Sequence, residues 1–313
     1  MDKDSKIYIA GHNGMAGAAI KRKLEVQGYK NFIFRSSSEL NLENQKATEE
    51  FFQREKPEYV FDAAAKVGGI NANNTYRAEF VYKNLQIQNN LIHFSYKHGV
   101  KKLLFLASNC VYPKSCPQPI KESYLLSGYL EPTNQPFAIA KIAGIEMCQS
   151  YNRQYGTNFI SAVPANSYGP NDNFNISDSH LIPSLILKFH EAKINNKDEV
   201  VIWGTGKPRR EAMHVDDLAD ACIFLMQKYD SSEIVNVGTG KDRAIKEIAE
   251  FIKEAAGFSG KMVFDATKPD GTMRKLLDVS KINSLGWKSK TDFEDGIKST
   301  YHWFVNTRSQ GEK

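Results

Sequence analysis

Residues 108–110 read Ser-Asn-Cys and close the β-rich run Lys102–Ala107. A strand ending here brings a hydroxyl and a thiol to the carboxyl edge of a sheet, where open α/β folds bind their ligands. A second edge carries Gly11-His12-Asn13-Gly14-Met15-Ala16-Gly17 directly after the apolar run Lys6–Ala10 and before a helical pattern. Glycines at this spacing let the backbone turn sharply and approach a pyrophosphate, which the free N–H groups and positive end of the helix attract. At the end of the second β-rich run stands Arg35-Ser36-Ser37-Ser38, where an NAD enzyme usually places an acid against the ribose 2′-hydroxyl. An arginine with hydroxyls suits a 2′-phosphate, so NADP is favoured. Downstream, Phe137-Ala138-Ile139-Ala140-Lys141 opens a helix. Residues four apart share a helix face, so a phenol and an ammonium at these positions would reach one cleft. There the lysine lowers the phenol's pKa and holds the nicotinamide ribose, and the phenol protonates a carbonyl oxygen. The device is complete except for its tyrosine, whose place Phe137 takes.

The elements that position these groups alternate. Strands are expected at Lys6–Ala10, Asn31–Arg35, Tyr59–Ala63, Lys102–Ala107 and Asn158–Val163, with helices to about Gln27, over Asn44–Glu55, to near His98, and over Ala138–Tyr155. Helical segments of this length between strands imply right-handed crossovers and a doubly wound α/β fold built on a parallel sheet. The Pro/Gly/Asn-rich stretch Pro164–Ser179 breaks this pattern. Residues 1–168 are therefore expected to form the NADP-binding Rossmann domain. Residues 169–313 should form mainly a smaller mixed α/β substrate lobe, with a segment near 211–240 returning to the first domain. Beyond the break, helices are expected near Ile182–Ala192, Val215–Lys228, Ile245–Ala256 and Phe293–Phe304, and strands at Val200–Trp203, Ile234–Val237 and Met262–Phe264.

Bulk properties allow a globular enzyme. The chain has 313 residues, 41% of them hydrophobic and 25% charged, with a net charge of +5 that is scattered along the sequence. That composition is far from the signature of disorder, and unclustered basic residues give little support to nucleic-acid binding. The opening MDKDSKIYIA is too short in apolar residues for a signal segment, and no later run reaches the roughly 18 residues of a membrane span, so a cytoplasmic location is expected. Cys110, Cys116, Cys148 and Cys222 have no metal-ligand spacing and do not suggest a disulfide scaffold, so reduced thiols and no metal are expected.

The segments IYIAGHNGMAG, AAAKVGGINANNTY, SNCVYPK, LEPTNQPFAIAKIAG, SYNRQYG, YGPNDNF, IPSLILKFHEA, REAMHVDDLAD, NVGTG and DATKPDGTMRKLLDVS together resemble the extended short-chain dehydrogenase/reductases. Within them, the chain is similar to the GDP-L-fucose synthase group. That resemblance implies epimerisation of a GDP-linked keto sugar at the carbons flanking its C4 ketone, followed by reduction of the ketone by NADPH. It implies a Cys/His acid–base pair at Cys110 and His180, the family's serine at Ser108, its lysine at Lys141 and its tyrosine at Phe137. It further implies cofactor contacts from Gly11, Asn13, Gly14, Met15, Ala16, Gly17, Arg35, Ser36, Ala64, Leu106, Ala107, Ser108, Lys141 and His180. Pro164, Asn166 and Ser167 would lie along the nicotinamide. Substrate contacts fall on Lys188, Trp203, Arg210 and Asp270, basic groups neutralising the diphosphate and the indole stacking on the base. A homodimer is implied as well.

Phe137 leaves three readings: a substitution made to trap a complex, a natural branch in which Ser108 or a water donates the proton, or a protein that has lost reduction and kept epimerisation or binding. An NAD-retaining sugar-nucleotide epimerase and a non-catalytic nucleotide sensor are the alternative functions. Asn13, where arginine is expected in the group, and Ala212 after Arg210-Glu211, where a bulkier residue is usual, leave hexose and heptose substrates both open.

Overall fold

Ile7–Ala10 is buried at every position, which marks a strand covered on both faces of a parallel sheet rather than one with a wet side. In the computed structural model, which describes residues 1–175, 178–268 and 270–311, it is β1. There follow α1 (Met15–Val26), β2 (Phe32–Ile33), α2 (Gln45–Glu55), β3 (Tyr59–Asp62), α3 (Ile70–Thr75), α4 (Arg77–Lys97), β4 (Lys102–Leu106), α5 (Gln135–Tyr155) and β5 (Phe159–Pro164). The chain continues through β6 (Asn166–Tyr168), α6 (Leu181–Ile194), β7 (Glu199–Trp203), β8 (Arg209–His214), α7 (Val215–Lys228), β9 (Val235–Val237) and β10 (Asp242–Ala244). It closes with α8 (Ile245–Ala256), β11 (Lys261–Asp265), β12 (Arg274–Lys275), α9 (Ser280–Ser284) and α10 (Phe293–Gly311).

Six parallel strands in the order β2-β1-β3-β4-β5-β9 form the main sheet. Helices α1 and α7 pack together, as do α2 with α4 and α4 with α5, covering the sheet. The order reverses at β1, with β2 on one side and β3 on the other, so a crevice opens at the carboxyl ends of β1 and β3. A second hydrophobic core gathers α6, α8 and α10 around the parallel pair β7-β11. Between the two cores runs a small sheet, β10-β8-β12, with β6 added beside β8.

Local chemistry explains the boundaries. Asn44 caps α2 by accepting the Ala47 N–H at 3.0 Å. Helix α5 begins at Gln135, earlier than its apolar periodicity suggests, because Pro136 is tolerated in a first turn and presets its φ. Gly156 ends it in a left-handed conformation with φ 66°. The stretch expected to be irregular from Pro164 contains β6, whose Asn166, Ser167 and Tyr168 pair with Ala212, Met213 and His214. Ile176 and Ser177 of that stretch lie outside the described residues. Strand β8 was not foreseen, because its first residues, Arg209-Arg210-Glu211, are charged and read as a loop.

Candidate active site

The glycine turn sits at the switch point between β2 and β3. Gly11 has φ +78°, and a Cβ there would lie 2.7 Å from Ala63 O; a Cβ on Gly17 would collide with Gly11 O. Both glycines are therefore demanded by the protein itself. Gly14 differs, since its Cβ would meet only Gly11 O at 3.4 Å, so the protein leaves room on the side where a ligand would approach. It is also the N-cap of α1, with no side-chain cap and no acid in the first turn, so Met15, Ala16 and Gly17 begin a helix end suited to a pyrophosphate. Asn13 is exposed beside this turn. Ala64, at the end of β3, donates its N–H to Asp62 Oδ1 at 3.3 Å.

At the end of β2, Arg35 donates to Glu55 Oε1 at 2.7 Å and to Phe34 O at 2.6 Å. Ser36 gives both its N–H and its hydroxyl to Glu39 Oε2 at 2.7 Å. These are the groups expected to meet a 2′-phosphate, which would have to draw them from carboxylates.

Beyond Leu106 and Ala107 the chain turns through a short 3-10 segment, Asn109–Val111. Ser108 caps it, its Oγ accepting the Cys110 N–H at 3.4 Å. Cys110 is buried, and desolvation pushes its thiol pKa up, with Lys275, Ser108 and Lys141 pulling the other way. Asn109 Nδ2 donates to Asn166 Oδ1 at 3.1 Å, tying this edge to β6 and so to Pro164 and Ser167. Lys141 lies one turn into α5 from Phe137. Its Nζ donates to Leu106 O at 2.8 Å and stands 4.6 Å from the Phe105 ring centroid and 5.9 Å from that of Phe137. Burial lowers its pKa, while Asp62 and Cys110 oppose that shift. The Phe137 ring packs edge-on to Phe80 at 6.2 Å, so the aromatic position is kept without the hydroxyl.

His180 is the N-cap of α6. It is exposed at the surface, yet neighbouring atoms crowd it enough that desolvation lowers its pKa. The backbone just before it is anchored across the cleft: the Gly69 N–H donates to Asp178 O at 2.6 Å, and a Cβ on Gly69 would lie 2.6 Å from Ser179 O. Glycine is thus required at 69 by the close approach of the His180 loop. Among the described residues no hydrogen bond joins His180 to Cys110.

The substrate-side residues fall into two groups. Trp203 is 65% exposed, and its ring is flanked by Lys188 Nζ at 5.8 Å and Lys268 Nζ at 5.5 Å. An exposed indole between two ammoniums fits a nucleobase carrying phosphates. Arg210 stands opposite Lys275 in the β8–β12 register, and burial lowers the pKa of both. Two neighbouring cations shielded from water call for an anion. Lys275 was not among the residues expected from sequence; only its register partner reveals it. Glu211, the next residue of β8, accepts the N–H groups of Thr239, Gly240 and Leu277 at 2.7, 2.7 and 2.8 Å, fixing the segments around this recess. Asp270 accepts from Thr205 N at 2.6 Å and Thr205 Oγ1 at 2.7 Å, so its carboxylate braces the loop after Trp203. Ala212 is packed into the second core.

Residues 7–238 match the model of the NAD dependent epimerase/dehydratase family. Over 97% of its length the chain is 59% identical to a putative GDP-L-fucose synthase 2 of Arabidopsis thaliana, covering 93% of that protein. It is 50% identical to the GDP-L-fucose synthase of Escherichia coli K12, with 97% of this chain and 98% of that one covered. The solved structure of a GDP-mannoheptose C4 reductase from Campylobacter jejuni with NADP bound superposes with a TM-score of 0.90 at 46% identity, covering 97% of this chain and 99% of that one.

Proposed function

The chain belongs to the NAD dependent epimerase/dehydratase family, and we infer that within it this enzyme acts on a GDP-linked 4-keto sugar, hexose or heptose. Cys110 and His180 carry out epimerisation beside the ketone, and the ketone is reduced with NADPH. The observation that carries the reading is that Lys141, from the second turn of α5, and Lys275, from β12, both act electrostatically on Cys110, just after β4. The proton-moving thiol thus feels one cation on the cofactor side and one on the substrate side.

The residues present fit the cofactor. Gly14 leaves space against an uncapped helix end, Lys141 is buried beside the expected ribose, and Arg35 with Ser36 supplies donors for a 2′-phosphate. When bound, NADPH supplies the hydride. Arg210 and Lys275 neutralise the diphosphate, and Trp203 stacks on the guanine between Lys188 and Lys268. A proton alpha to the ketone is acidified, and inversion needs a base on one ring face and an acid on the other. Desolvation keeps His180 neutral and able to accept a proton, and keeps Cys110 a thiol able to donate one. Ser108 offers its hydroxyl to the ketone oxygen. Phe137 preserves the packing against Phe80 but brings no proton, so reduction is impaired in this form while epimerisation is not.

Restoring the phenol tests the reading. With a GDP-4-keto hexose and the corresponding heptose, Phe137→Tyr is expected to raise the rate of NADPH oxidation about 10²–10⁴-fold, the usual contribution of a general acid. The substrate that gains more identifies the sugar. An unchanged rate with both would show that Phe137 does not block an otherwise complete reductase.

A further inference from the structure

Asp62 ends β3 with its side chain wholly buried. Its Oδ1 accepts the Ala64 N–H at 3.3 Å, while its Oδ2 makes no hydrogen bond among the described residues. A buried carboxylate oxygen without a donor is costly unless a charge answers it. The sheet register shows where that charge lies. Asp62 pairs with Phe105 of β4, and Phe105 pairs with Ser161 of β5, so these three side chains stand in one row on one face. Helix α5 covers that row. A Cβ on Gly144 would collide with the Phe105 ring, and Lys141, one turn earlier, reaches over the same ring to Leu106 O. The carboxylate therefore lies one strand away from an ammonium that has no other carboxylate partner among the described residues.

We propose that Asp62 is a positioning residue for Lys141: its carboxylate lies behind Lys141, holds it as an ammonium and fixes it at the mouth of the nicotinamide ribose site. The proposal rests on the cofactor reading above. The groups facing Lys141 are Asp62 from β3, Cys110 from the segment after β4, and Cys148 from α5 itself. Facing it from β4 are the neutral Leu106 carbonyl and Phe105 ring. Burial pushes the Cys148 thiol up to about 12 and raises that of Cys110, so both are uncharged at neutral pH. Asp62 is then the only carboxylate among these groups. Desolvation raises its own pKa to about 6, against the pull of Lys141, so above that pH it is ionised and can hold the lysine's proton.

The test reads NADPH binding to the full chain between pH 6 and 9.5, by nicotinamide fluorescence, and needs no turnover. Asp62→Asn keeps the shape and removes the charge. The alkaline limb of NADPH affinity is expected to move to lower pH by at least one unit, leaving binding about tenfold weaker at the pH where the two profiles differ most. In a Lys141→Met background the same substitution is expected to leave the profile unchanged. Superimposable profiles for the wild type and Asp62→Asn would overturn the proposal, as would an equal shift in the Lys141→Met background. Should Asp62→Asn not fold, Asp62→Leu/Lys141→Met is the deciding variant: a cooperative thermal transition supports the pairing, and its absence overturns it. A wild type that binds no NADPH at any pH overturns the cofactor reading itself, an outcome distinct from a wild type that binds with an unmoved profile.

Discussion

At the scale of single residues, the proposed acid–base pair makes a prediction independent of Phe137. Desolvation lowers the His180 pKa below 6.5, so the imidazole remains a neutral base as the pH falls through that value and is lost only further down. Incorporation of deuterium from heavy water alpha to the ketone should begin to decline at a lower pH than for a solvated imidazole. His180→Asn is expected to slow it about 10²–10⁴-fold, the usual weight of a general base. Exchange that already halves near pH 7 in the native protein would contradict the lowered imidazole pKa. The places of Ser108, Cys110 and Lys141 were legible in the sequence, because they sit at strand ends or at helical spacing, while the roles proposed for Cys110 and His180 come from the family resemblance. Asp62 and Lys275 were not. Each gains its meaning from a partner on a distant element, Lys141 for one and Arg210 for the other.

At the scale of elements, the turn between β1 and α1 separates two kinds of glycine. Gly17→Ala forces a Cβ into Gly11 O and is expected to lower stability by about 1–3 kcal/mol, the usual cost of overpacking. Gly14→Ala meets no backbone closer than 3.4 Å and should leave the thermal midpoint nearly unchanged while weakening NADPH binding at least tenfold. Calorimetric melting and cofactor titration on the same two variants check the contrast. Strong periodicity made the long helices and buried parallel strands readable. Val215–Lys228 and Ile245–Ala256 fall where apolar spacing puts them. The short strands β6, β8, β10 and β12 were hidden because charged or polar residues occupy them, and they exist by pairing with one another rather than by their own propensity.

For the whole molecule, the order of the main sheet matters more than the point where composition changes. Strand β9 closes the edge beside β5, pairing Val235, Asn236 and Val237 with Ala162, Val163 and Pro164, and α7 packs on α1. A fragment ending at residue 168 loses both, leaving an unpaired apolar edge on β5. Such a fragment is expected to aggregate or to lack a cooperative unfolding transition, whereas residues 1–240 should be the more soluble product. Size-exclusion chromatography and thermal melts of the two fragments decide it. The return of the chain to its first sheet was foreseeable from the apolar run at Ile234–Val237. Its register was not, since only β5 shows where that run docks.

The close approach of Gly69 to Ser179 has an evolutionary side. A side chain there would shift the backbone that carries the acid–base histidine, while the sheet, the cofactor turn and the paired cations stayed intact. A lineage could thus give up the proposed isomerase step through a glycine outside the acid–base pair itself. Its descendants would still match every catalytic motif by name, and a survey of those motifs alone would count them as active.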